Sequence, residues 1–332
     1  MKRFGYAIFL LPLFLIGCNL DEFPKIDSDS DGKETVEYMR EMRLFVRDIS
    51  RYAKQIDGDF IVIPRNGVEL ISDNGEDTGS VDTDYVNAID GIGQEALFYG
   101  FEDINEPTPA RDRLWIRSFL DMATDSSDTV VLITDYVFSE DRVDDSYQKN
   151  ADLGYISFAA DQEELDNIPV YPSLPNNRNS NGIEQLSEAK NFLHLTNTQS
   201  YSTPQELVND IGNTDYDLVI IDFFFNGVEY TRSQIEQLKE KSGGERRLLI
   251  AYMNIGQADS DRFYWQNSWS SNRPEWLGEA DPANSGHFYV EYWEEGWQEI
   301  IYGTDNAYLD RIIDAGFDGV YLDRVNAFEH FE

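Results

Sequence analysis

One cysteine in 332 residues leaves no partner for an internal disulfide. Basic residues are scarce as well. The 26 lysines and arginines face 63 aspartates and glutamates, giving a formal charge of −37. That surplus repels a phosphate backbone and excludes a nucleic-acid partner. Three histidines and one cysteine make no His/Cys metal set. No serine or cysteine stands beside a histidine in a nucleophile elbow, and no glycine-rich phosphate cradle is evident, so neither metal nor cofactor is expected. Long apolar runs are missing too: Phe4 to Phe14 is too short to span a bilayer as a mature helix.

What precedes and follows that run has a different meaning. Lys2 and Arg3 supply a positive start, and Leu15-Ile16-Gly17-Cys18 a small-residue cleavage site. The arrangement resembles the box in which bacterial lipoproteins carry their lipidated cysteine. Residues 1–18 are therefore expected to be a lipoprotein signal, with Cys18 anchoring the exported protein to the cell envelope, at the outer membrane or cell surface. Residues 19–33, "NLDEFPKIDSDSDGK", are expected to be an acidic flexible tether. Its "DSDSDG" copies the first half of a calcium loop, but Tyr38 stands where the closing glutamate belongs. The acidity itself suits either solubility in salty surroundings or attraction of a cationic substrate.

From residue 34 onward the pattern is that of one domain, 34–332. Met39, Met42, Phe45, Val46, Ile49, Ala53 and Ile56 recur at helical spacing. Apolar runs then follow at 60–67, 88–93, 129–138, 192–197, 217–225, 248–256, 288–293 and 319–325, with helix-like segments such as 231–244 and 305–316 between most of them. Runs apolar on both faces and separated by helices indicate parallel strands. Eight of them predict an α/β fold, a (β/α)8 TIM barrel. The first element is a helix and the last a strand, so sealing the ring places them side by side. The expected barrel is circularly permuted.

The active site of such a barrel lies at the carboxyl ends of its strands. There the sequence offers Arg65 and Asn66, Asp90, Glu95, Asp135, Asn197, Asp222, the stretch "NIGQADSDR" with Gln257, Glu291 and Asp323. A ring of carboxylates and amides is the equipment of glycoside hydrolysis, in which one acid protonates the leaving oxygen while another activates water or attacks the anomeric carbon. Five of six tryptophans, Trp265, Trp269, Trp276, Trp293 and Trp297, fall close together. Flat rings suit the apolar face of a sugar, and they serve equally to pack a long loop.

"FIVIPRNGVEL", "AIDGIGQEALFYG", "YDLVIIDFFFNG", "IAYMNIGQADSDRFYW" and "GFDGVYLDRVNAFE" together resemble the endo-α-1,4-polygalactosaminidase family of glycoside hydrolases, closest to its branch of exported proteins. In that family's usual order the strand resembling "GVYLDRV" precedes the segment resembling "FVRDISRYAKQIDGDFIVIPRNG", which agrees with the permutation. The resemblance implies a polysaccharide substrate of α-1,4-linked galactosamine, cationic when deacetylated. It also implies two acidic residues. Asp222 matches the aspartate, as nucleophile or base. The glutamate's place is taken by His287, and Gln257 stands where branch members tend to show Glu. Glu291, four residues on from His287, is the nearest alternative acid.

The catalytic candidates are thus Asp222, Glu291 and Asp323. Asn66, Glu95, Asp135, Gln257, Trp265, His287 and Trp293 are the substrate-binding candidates. Two classes stay open: a lipid-anchored hydrolase of an amino-sugar polymer, and a non-catalytic glycan-binding lipoprotein with a degenerate site. No obligate protein partner is expected.

Overall fold

In the computed structural model, which describes residues 37–332, the helical spacing becomes α1 (Tyr38–Ile56), with Met42, Phe45, Val46, Ile49 and Ala53 buried on one face. The expected signal with Cys18 and the expected tether lie outside the described residues. Eight parallel strands follow: β1 (Ile61–Pro64), β2 (Gly91–Glu95), β3 (Val130–Tyr136), β4 (Ile156–Ala160), β5 (Phe192–Leu195), β6 (Leu218–Asp222), β7 (Leu248–Asn254) and β8 (Gly319–Asp323). Between them run α2 (Thr83–Val86), α3 (Ala110–Ser126), α4 (Glu140–Asp152), α5 (Pro204–Gly212), α6 (Arg232–Leu238), α7 (Glu295–Ile301) and α8 (Tyr308–Ala315). Among the described residues no helix is long and apolar enough to cross a membrane.

The strands form two parallel sheets, ordered β1-β8-β7-β6-β5 and β2-β3-β4. One seam between the sheets is crossed by an isolated parallel bridge, Arg65 to Gly93, beside which the Asn66 amide donates to the Gly93 carbonyl at 2.8 Å. At the other seam the rings of Phe158 on β4 and Phe192 on β5 meet at 5.9 Å. This layout is compatible with a TIM-barrel-like fold. Helix α1 lies beside β1, between α8 and α2: the Tyr52 hydroxyl donates to Asp310 at 2.5 Å, and Arg47 pairs with Asp84 at 3.0 Å.

Two readings of the sequence need correction. The run at 288–293 is not a strand of the main sheet. His287–Val290 pairs antiparallel with Gln257–Asp259 and Leu277–Ala280, forming a small sheet in the connection after β7. The strand that completes the eight is Ile156–Ala160, whose small residues make no aliphatic run. Helix α6 also ends at Leu238, short of Gly243, whereas α8 does stop at Gly316 in the left-handed conformation.

Register decides which side chains share a face, because residues paired across parallel strands point the same way and neighbours along a strand alternate. Tyr321 pairs with Ile63 and Tyr252, Tyr252 with Asp222, Ile220 with His194, and Glu95 with Thr134. The face opposite the helices therefore carries Arg65, Glu95, Tyr136, Asp222, Tyr252 and Asp323 at the carboxyl ends, with His194, Thr134 and Tyr321 beneath. Gly93 is required here, since a Cβ would fall 2.1 Å from the Tyr321 hydroxyl.

Candidate functional site

The inner rim is a lattice of carboxylates held by two arginines. Arg65, from the end of β1, reaches Glu95 on one side at 2.5 Å and Asp323 on the other at 2.9 Å. Glu95 also accepts from Asn66 Nδ2 at 3.1 Å and from the Tyr136 hydroxyl. Burial is the largest single influence and raises its carboxyl, but the Arg65 charge, His194 and the hydrogen bonds from Tyr136 and Arg65 together outweigh it and hold Glu95 down at about 2. Asp323 accepts from the Tyr252 hydroxyl at 2.5 Å. Below them His194 is fully buried, bonded through Nδ1 to Thr134 at 3.0 Å. Burial, with Arg65 adding, pushes it down to about 3 and keeps it neutral.

Asp222, closing β6, is gripped from the loop after β7. Arg262 Nη1 donates to Oδ1 at 3.0 Å and Nη2 to Oδ2 at 2.7 Å, and the Phe224 amide donates to Oδ1 at 2.9 Å. The guanidinium is itself placed by Asp259 at 3.4 Å and by the rings of Phe224 and Tyr308. Burial raises the Asp222 carboxyl and the Arg262 charge opposes that rise.

Above the rim opens a cleft of about 570 Å³. Six carboxylates line it, Glu163, Glu164, Asp222, Asp259, Asp261 and Asp323, against three guanidiniums, Arg65, Arg262 and Arg324. His287, opposite Asp259 in the small sheet, also faces it. A second hollow, about 520 Å³, opens at the amino-terminal ends of the strands beside Phe60, Ile61 and Val130. In TIM-barrel-like layouts the chemistry sits at the opposite, carboxyl-terminal end of the strands.

The structure brings together Asp222, Asp323, Glu95, Asn66 and His287, and places the other candidates elsewhere. Asp135 alternates to the outer face. It is fully buried, accepting from the amides of Phe98 and Tyr99, from Ser146 Oγ at 2.7 Å and from Asn150 Nδ2 at 3.1 Å. Glu291 lies just past the small strand, its amide bonded to the Trp276 carbonyl, and does not line the cleft. Gln257 is buried, donating to Asp281 at 2.9 Å, beside a separate hollow shared with Arg324. Trp265 stacks on Phe288 at 4.7 Å, and Trp293 packs on Tyr38 and Phe331. Trp269, Trp276 and Trp297 are buried in one chain, the first contact edge-to-face and the second tilted. The tryptophans thus pack the long loop, and none of the five lines the cleft.

Reasoning from the sequence missed the glutamates of the β4–β5 connection, because β4 itself was missed. It also missed the arginine fork on Asp222. Arg262 stood in view inside "NIGQADSDR", but nothing in the spacing paired it with residue 222.

Residues 184–332 match the model of Glycoside-hydrolase family GH114. An uncharacterized protein of Methanocaldococcus jannaschii is 39% identical over 181 residues, 53% of this chain and 49% of that one. An uncharacterized protein of Thermotoga maritima is 43% identical over 122 residues, 37% and 36% of the two chains. One from Deinococcus radiodurans is 36% identical over 129 residues, 39% of each. The chain thus spans about half the length, or less, of the curated relatives it matches. The family match covers β5 to β8, the half of the sheet that holds Asp222, Arg262, His287 and Asp323, and it supports a glycoside-hydrolase relationship for that half.

Proposed function

We propose that this chain is an exported, lipid-anchored glycoside hydrolase acting on an amino-sugar polysaccharide of the α-1,4-galactosamine type, held in a closed and circularly permuted (β/α)8 barrel. The observation that carries the reading is that Asp222 and Asp323 share one inner face of the region that matches the hydrolase family, Asp222 in register with Tyr252 and Asp323 with Asn254. They sit two strands apart, roughly 10 Å across the sheet at about 4.8 Å per strand, and two residues apart along it, roughly 7 Å at about 3.3 Å per residue, which leaves room for a sugar ring between them. Closure is supported by the Arg65–Gly93 bridge and the Phe158–Phe192 contact. Permutation is supported by α1 flanking β1 between α8 and α2, and by a match confined to the second half, since a family model in fixed order can align with only one of two exchanged pieces. Export and anchoring rest on Lys2, Arg3, the apolar stretch and Cys18.

The excess of carboxylates over guanidiniums around the cleft favours a cationic polymer such as deacetylated galactosamine chains. The binding-only alternative rests on the acids missing at His287 and Gln257; the tryptophan platform it would have used is packed away from the cleft. The test is release of reducing ends from partially deacetylated α-1,4-galactosamine polymer. Wild type is expected to cleave it, and Asp222→Asn to lower kcat by about 10²- to 10⁴-fold while still folding. A wild type that releases nothing from this or related amino-sugar polymers overturns the reading.

A further inference from the structure

Hydrolysis of a glycosidic bond needs a group that delivers a proton to the leaving oxygen. The rim carboxylates are poorly arranged for that. Both oxygens of Asp222 accept from Arg262, both of Asp323 accept from Arg65 and Tyr252, and Glu95 accepts from Arg65, Asn66 and Tyr136. Protonating Asp222 sets an O–H against a guanidinium N–H and breaks half of the fork. Asp259 stands beside the same guanidinium. Glu163, Glu164 and Asp261 are exposed on the outer lips of the cleft.

His287 differs from all of these. It is a half-buried side chain lining the same cleft, and its Nδ1 is buried with no hydrogen-bond partner. Its backbone is fixed on both sides: the amide donates to the Asn284 carbonyl at 3.2 Å, and the residue pairs with Asp259 across the small sheet. Asp259 holds Arg262, and Arg262 holds Asp222. The strand that carries His287 is thus tied through Asp259 and Arg262 to Asp222, and the imidazole and that carboxylate line one cleft.

We infer that His287 is the proton donor of the hydrolytic reaction and that Asp222 acts with it as carboxylate. This rests on the hydrolase reading above. The imidazolium gives its proton to the glycosidic oxygen, which keeps the bonding pair as the bond to the anomeric carbon breaks. Asp222 stabilises the positive charge developing on that carbon. Water then supplies hydroxide to the carbon and returns its remaining proton to the neutral ring.

The test uses the full chain, the partially deacetylated galactosamine polymer, and an aryl galactosaminide whose phenolate leaves without protonation. His287→Gln is expected to lower kcat on the polymer about 10²-fold or more, to leave KM within a few-fold, and to spare the aryl substrate. His287→Glu is expected to recover part of the polymer activity, which a merely structural histidine would not allow. Equal losses on both substrates, or the selective loss appearing in Glu163→Gln or Glu164→Gln instead, overturn the assignment while leaving the hydrolase reading intact. A wild type inactive on both substrates overturns both.

Discussion

Arg262 holds Asp222 by two parallel bonds at once, 3.0 and 2.7 Å, from a loop forty residues further along the chain. The loop after β7 is thus part of the site rather than a cover over it.

Replacing Arg262 by lysine keeps a positive charge but loses the planar fork. Arg262→Lys is expected to cost about tenfold in kcat with a small change in KM. Arg262→Ala removes the charge that opposes the burial effect on Asp222, so the carboxyl rises further and the acid limb of the activity profile moves to higher pH. A profile that stays in place in Arg262→Ala shows that Asp222 is not the group being titrated.

Glu95 ties stability to pH. Its carboxyl is held at about 2 in the fold against the ordinary glutamate value of 4.5, so the unfolded chain takes up the proton first as pH falls. The stabilisation is fully present above pH 4.5 and is lost as pH falls toward 2. By linkage it amounts to about 3 kcal/mol. Denaturation midpoints between pH 6 and 2 should fall less steeply in Glu95→Gln than in wild type. That variant also leaves Arg65 with Asp323 alone, so it starts from a lower stability at neutral pH.

Trp276 separates packing from binding. It is buried between Trp269 and Trp297, with ring centroids at 5.1 and 5.2 Å. Trp276→Ala is expected to lose about 3 to 5 kcal/mol of stability. The affinity of the folded fraction for polymer should stay unchanged. Weaker binding with unchanged stability would restore the sugar-platform reading of the tryptophan group.

The general plan of the fold was legible because buried parallel strands announce themselves as aliphatic runs, as at Leu218–Ile221 and Leu248–Ile250. Ile156–Ala160 has two alanines and a serine in five positions, so hydropathy alone passed over it. The aromatic run around Phe288 imitated a core strand while packing a loop. Asp222 and Asp323 were legible because each ends an apolar run. Asp135 also follows one, but it lies one position out of phase with Thr134 and Tyr136, and a single step of alternation turns it to the helices. The arginine forks were hidden because Arg65 and Arg262 find their partners across strands and loops that no local spacing connects.

Beneath the rim, the Tyr321 ring fills the space above Gly93, where no Cβ could fit, and is itself wholly buried. That level of the inner face is therefore filled by a side chain. In the proposed role a polysaccharide would meet the rim and the loops above it and not the floor beneath. Selectivity would then be set by those lips, which can be rewritten without disturbing the tyrosine below.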